Sequence, residues 1–294
     1  MNLLGRFCSI NVEDIAANLS VDISSVKFTM GNCKNLKMES SFCKNMSVAN
    51  VDEAELRLSS SEVSVNEIKG DLNANASFSN IEIAKIGANA TLKLSSSTFE
   101  ASDIKELTLE GSFVRSFVVN NIQKAVIEKF SSSEFKANNM AHLQIHDASF
   151  STFRVAMVEN LSIEKSSSSK FYLTAANVVE APKCSFTDFS IGQLKKRFVT
   201  KSSSGSIKLN NVTSGFEKIS IDGQFVNIDI DMQENASYKI EAELEFPNYQ
   251  FHDITYSLKE KNLSNEKMSG MRGGDKNTNS EIRFDCKSCS ITLN

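Results

Sequence analysis

The residues of this chain that could do chemistry are few, and their spacing does not assemble them. Cys286 and Cys289 form a Cys-x-x-Cys pair close to the C-terminal end. Thiolates spaced this way hold zinc when a second ligand pair follows at regular spacing, and His142, His146 and His252 do not supply one. The pair is therefore read as strand and turn cysteines. His142 and His146 flank the run Leu143 to Ile145. Residues four apart meet on a helix but stand far apart along one face of a strand, so no metal is expected there. Cys33 and Cys184 occupy apolar-pattern positions where a buried free thiol is ordinary, and no disulfide framework is expected among the 6 cysteines. Glycan lyases and hydrolases need carboxylates paired across a cleft. The candidate acids Asp147, Glu159, Asp188 and Asp222 are instead scattered among Lys and Ser at outward positions. No catalytic, cofactor-binding or metal residue is assigned, no cofactor is expected, and the chain reads as a non-enzyme.

What positions these residues is a repeat. In Leu92 to Ile122, apolar residues at 92, 94, 99, 101 and 104 are followed by a second set at 107, 109, 113, 117, 119 and 122. Alternation at period two is the mark of strands with one buried face. Ser clusters at 24–25, 59–61, 95–97, 131–133, 166–169 and 202–204 recur about every 36 residues. A second series, Ser41-Phe42, Ser77-Phe78, Ser112-Phe113, Ser149-Phe150 and Ser185-Phe186, is offset by half that period. The unit is thus about 18 residues, which suits a rung of a single-stranded parallel β-helix. Period alone also admits one wide 36-residue coil in which Ser clusters stack on Ser clusters. Strands of the form apolar-x-apolar-x-x-apolar follow the corners, as at Val63/Val65/Ile68, Phe117/Val119/Ile122 and Phe153/Val155/Val158. Asn50, Asp103, Asn121, Asn139, Asn177 and Asn211 precede the last apolar residue of such copies, where a left-handed backbone would turn the chain.

The chain has 294 residues, 40% hydrophobic, enough for a sizeable core, and repeats can make it one body. A net charge of -4 with both signs interspersed leaves no basic stripe for nucleic acid. Aromatic usage is lopsided, with Phe 20, Tyr 4 and Trp 0. Binding surfaces draw mainly on Trp and Tyr, so the Phe residues read as core. On that reading Phe99, Phe113 and Phe150 are buried, and Phe113→Ala costs roughly 3–5 kcal/mol. The N-terminal residues show neither a signal peptide nor a lipoprotein box, and no membrane-spanning run follows. That leaves a cytoplasmic protein or an exported one whose leader has been removed, and the Ser-rich repeat composition favours the second, periplasmic or at the cell surface.

Residues 1–197 carry the regular rungs, and 198–294 form a looser β-rich continuation and cap. Phe225 to Phe246 reads as two alternating strands about a Gln-Glu-Asn-Ala turn, suggesting hairpin-like pairing. The polar segment from Lys259 to Ser280, with Gly270, Gly273 and Gly274, reads as a mobile loop before closing strands at 282–286 and 291–293. This tail, from Ile221 to Pro247 through the Gly-rich loop to Ser280 to Asn294, resembles the end of a bacterial envelope adhesin family. Its members are β-helical proteins of unknown function related to the head domain of auto-transporter adhesins. The chain departs at Ser288-Cys289, where the family usually carries Tyr-Gly. The resemblance implies export and an interaction role, with an unknown protein or glycan at the cell surface as partner. A scaffold that polymerises end to end and a β-helix glycan lyase or hydrolase are the competing readings. If the fold is as expected, a single elongated all-β body, far-UV circular dichroism will show no substantial helix.

Overall fold

The computed structural model describes residues 1–294 and is all β, with no helix. It is a parallel β-solenoid of about 13 turns with rungs of about 18 residues, joined by some antiparallel strands near the C-terminus. Two compact units divide the chain, Met1–His142 and Leu143–Asn294.

In the first unit the inward side chains of one turn are Ile81, Ile83, Ile86, Ala90, Leu92 and Leu94, all buried. The residues between them face out, as period two requires. Register fixes the coil: Leu92 lies beside Ala74 on one side and Leu109 on the other, and Ser95 lies beside Ser77 and Ser112. Each coil is thus one unit long. Ser clusters stack on Ser-Phe corners, which excludes the 36-residue coil. Stacking identical positions also lets Phe99, Phe117 and Phe135 form a ladder of near-parallel rings with centroids 5.1 and 5.0 Å apart. Gly111 completes the fit, since a Cβ there would meet the Phe130 ring at 2.8 Å.

The Asn series is not the turning point of the backbone. Asn50, Asp103, Asn121, Asn139, Asn177 and Asn211 are all absent from the residues with positive φ. Four of these side chains bond from turn to turn instead: Asn50 Nδ2 donates to Asn32 Oδ1 at 2.7 Å, Asn121 to Asp103 at 2.6 Å and Asn139 to Asn121 at 2.8 Å. Where a carboxamide stacks on a carboxamide or carboxylate, donor meets acceptor across the rungs, and no left-handed backbone is needed.

The second unit repeats the plan, with a Phe153, Phe171 and Phe189 ladder at 4.8 and 5.2 Å. Parallel pairing continues from Arg197–Val212 onto Lys218–Met232. The final residues then depart from sequence order. Glu281–Lys287 pairs in parallel with Lys218–Gln224 on one side and with Lys239–Glu245 on the other, and Ser290–Leu293 follows Asn227–Ile230 in the same way. The last strands therefore insert between two segments that are consecutive in the chain. The hairpin expected across Gln233–Ala236 does not form, because each half of that alternating run has its own coil to complete.

Only part of 259–280 is a loop: 273–280 are irregular, but Asn265–Arg272 is a strand and Lys259–Lys261 end another. Asn265–Arg272 pairs antiparallel with both Tyr238–Glu245 and Thr255–Lys261, and it buries Met268 and Glu266. Buried Glu266 accepts the Tyr249 hydroxyl at 2.5 Å and faces Lys259 and Lys261 at 3.6 and 3.7 Å. The exposed strand Thr255–Lys261 is rich in charge, which opposes addition of a further strand. Deleting residues 281–294 should leave Tyr238–Glu245 without its parallel neighbour. Amide hydrogen exchange is expected to lose protection there and along Lys218–Met232, while Met1–His142 keeps its own.

Candidate functional site

A chain that coils must turn, and here the tight turn falls on one residue per rung with a left-handed backbone. In the first unit these residues are Phe7, Ser25, Phe42, Ser60, Phe78, Ser96, Phe113 and Ser132, with φ between 50° and 55°; Asn45, at φ 56°, is a further left-handed residue outside this series. Each lies in a triplet of the same plan. The leading residue is Ser in all but the first, the middle residue turns outward, and the third is buried in all but the first, where Cys8 is exposed. The middle N–H donates to the leading carbonyl of the next turn, as from Phe42 to Ser59 at 3.0 Å and from Ser60 to Ser77 at 2.9 Å. Where the third residue is Ser, its hydroxyl donates back two residues and accepts an N–H from the neighbouring turn. Ser79 Oγ donates to the Ser77 carbonyl at 2.8 Å and accepts the Ser61 N–H at 3.1 Å. Ser-Ser-Ser and Ser-Phe-Ser are thus one corner with two fillings.

The Phe filling leaves the ring outside the core. Phe7, Phe42, Phe78, Phe113, Phe150, Phe186, Phe225 and Phe246 are between 57% and 84% exposed. The expectation that Phe113 and Phe150 are core residues is therefore overturned, whereas Phe99 is buried. Counting period two from Leu109 through Gly111 carries Phe113 inward, but the left-handed residue shifts the phase by one and Val114 takes the inward place. A left-handed backbone costs a residue with a Cβ about 1–2 kcal/mol, and an exposed ring forgoes about 1.5–3 kcal/mol of burial. Ser at alternate corners shows that the turn needs no ring. The backbone strain is common to Ser and Phe corners and serves the turn, so what sets the Phe corners apart is the exposed ring alone.

The second unit preserves the alternation in space. Phe150, Ser168, Phe186, Ser204 and Phe225 follow each other along the chain, and the next corner in sequence is Phe246. The inserted C-terminal strand places Ser288 between these two, since Lys287 lies beside both Gln224 and Glu245. Ser288 itself has φ 52° and donates its N–H to Glu245 at 2.8 Å. Within each unit, successive Phe corners are two turns apart, roughly 9.6 Å from the strand spacing.

The polar residues singled out in the sequence lie elsewhere. Asp147 faces Lys165 at 3.4 Å, Asp222 faces Lys201 at 2.6 Å, and Asp188 accepts the Ser206 N–H at 3.0 Å. Glu159 is exposed. His146 Nδ1 lies 2.8 Å from Glu164, and no group of three or more His, Cys, Asp or Glu could hold a metal ion. All six cysteines are free. Cys286 and Cys289 face each other across the Ser288 corner, and Gly223 leaves them room, since a Cβ there would lie 3.2 and 3.1 Å from their sulfurs. Their hydrogen bond raises the Cys286 thiol, with burial adding to it, and lowers Cys289 to about 7. Burial pushes Cys33 and Cys184 up to about 11. In the first unit two grooves, of about 670 and 590 Å³, are lined mainly by polar side chains. No helix is long and apolar enough to cross a membrane.

No family model, curated protein or solved structure matches the chain. The exposed Phe corners are thus the feature that sequence reasoning missed. Phe78 stands 18 residues from both Ser60 and Ser96, and aligning the triplets on that spacing would have put it at a position no core residue occupies. Two neighbouring substitutions separate inside from outside: Phe117→Ala should cost about 3–5 kcal/mol by thermal denaturation, whereas Phe113→Asn should be neutral or stabilise by up to about 1 kcal/mol.

Proposed function

We propose that the chain is a non-enzymatic β-helix module of the bacterial envelope or cell surface, and that its contact surface is the row of exposed Phe corners. The observation that carries this reading is the repeated placing of Phe on strained, outward backbone positions that Ser fills equally well. Interface cores are enriched in aromatic side chains and depleted in charge. The corner row has that character: in the first unit every triplet after Arg6 is uncharged, while ion pairs such as Arg57–Glu39 and Lys85–Glu67 are kept to the strand faces. The partner this favours presents apolar surface along the row. It replaces the polar flank that a β-helix adhesin would otherwise offer. The resemblance of the tail to envelope adhesins accords with such a role.

The test is retention on an alkyl-coated matrix. Wild type should be held, and the triple variant Phe42→Ser, Phe78→Ser, Phe113→Ser should elute early while melting at an unchanged temperature. Equal retention of the two proteins would remove the Phe row as the contact surface.

A further inference from the structure

The corner row of the first unit has a geometry that selects its own partner. Inside the protein, Phe rings on successive turns stack with centroids 5.1 and 5.0 Å apart in the first unit and 4.8 and 5.2 Å apart in the second. Outside, a Phe occurs only on every second turn, roughly 9.6 Å from the next, with a Ser between. Each Ser level is therefore an empty slot at the height where one more ring would stack on both neighbours. The spacing that would fill those slots is the same spacing, displaced by one turn, and a second copy of this chain presents it.

We propose that two copies pair through this row, each inserting its Phe corners into the Ser levels of the other. The inference rests on the reading of the row as a contact surface and names its occupant. The eight corners of the first unit, Phe7, Ser25, Phe42, Ser60, Phe78, Ser96, Phe113 and Ser132, begin with Phe and end with Ser. A two-fold axis midway between Ser60 and Phe78 then sets every Phe of one copy at a Ser level of the other: Phe7 at Ser132, Phe113 at Ser25, Phe42 at Ser96 and Phe78 at Ser60. Such an interface is isologous and closed, the commonest symmetry of protein pairs. Charge permits it, because a face that meets itself must not carry one sign of charge, and after Arg6 these triplets carry none. Area permits it as well. Four rings, each between 62% and 84% exposed, offer roughly 500 Å² per copy. Together the two copies reach the roughly 1,000 Å² that a specific, reversible dimer requires. A periodic glycan is the weaker occupant, because rows that stack on sugars use Trp and Tyr, whose rings carry a polar handle.

Sedimentation velocity of the full chain over a range of concentrations tests the pairing with two opposite variants. Phe42→Ser with Phe78→Ser removes two rings, and Ser60→Phe with Ser96→Phe fills two slots. Both exchange residues that already occupy equivalent corners of the same fold, and dichroism with thermal melting checks that each variant is folded. Wild type is expected to dimerise reversibly, and both variants should weaken the dimer by roughly tenfold or more. The slot-filling variant is decisive, since added exposed rings strengthen non-specific apolar association but block interleaving. Tighter association of that variant, or indifference of the dimer to both changes, overturns the proposal. So does a wild type that stays monomeric at every concentration; if that monomer is still held by the alkyl matrix through its Phe corners, the contact surface stands and only the self-pairing falls.

Discussion

The corner hydrogen-bond ladder is the interaction on which the rest of this structure depends. A coil of about 18 residues can stack only if its turning residue sits at the same height in every rung. That residue is held by its N–H on the next turn, as in the bond from Phe78 to Ser95 at 2.9 Å. The inward Ser beside it closes the corner with its own hydroxyl, as Ser97 does on Ser95 at 2.8 Å. These Ser side chains are buried yet satisfied, so they avoid the penalty of an unpaired polar group. With the corners in register, the aliphatic columns and the interior Phe ladders follow, since each inward side chain meets the equivalent one in the next turn.

The same constraint frees the outward position of the corner for other use. A left-handed residue points its side chain away from the core, and any short polar side chain serves the turn. The chain fills half of these positions with Phe, on every second rung. Near the C-terminus, sequence order would bring Phe225 and Phe246 to adjacent coils. The inserted strand Glu281–Lys287 separates them and supplies Ser288. The alternation is thus kept in space where it is lost along the chain.

Much of the fold was legible because β-solenoids write their period directly into the chain. The alternation around Leu92 and Leu94, the 18-residue step and the inward places of Phe99, Phe117 and Phe153 follow from side-chain direction in strands. Phe113 and Phe150 were misread because one residue of left-handed backbone moves the phase of alternation, and Phe is an improbable occupant of that conformation. Asn50 and Asn121 were misread for the converse reason: Asn favours left-handed turns as a single residue, but stacked Asn finds partners in adjacent rungs. The fate of Asn265–Arg272 and Glu281–Leu293 was hidden because pairing partners remote in sequence leave no period to read.

The central claim is that the corners belong to the fold and the rings upon them do not. Thermal unfolding of a variant with Ser at 7, 42, 78, 113, 150, 186, 225 and 246 tests it most directly. The account predicts a cooperative transition at or above the wild-type temperature, because each exchange relieves an exposed ring without removing a corner bond. A loss of stability comparable to that of a core Phe substitution, about 3–5 kcal/mol for even one of the positions, would contradict it.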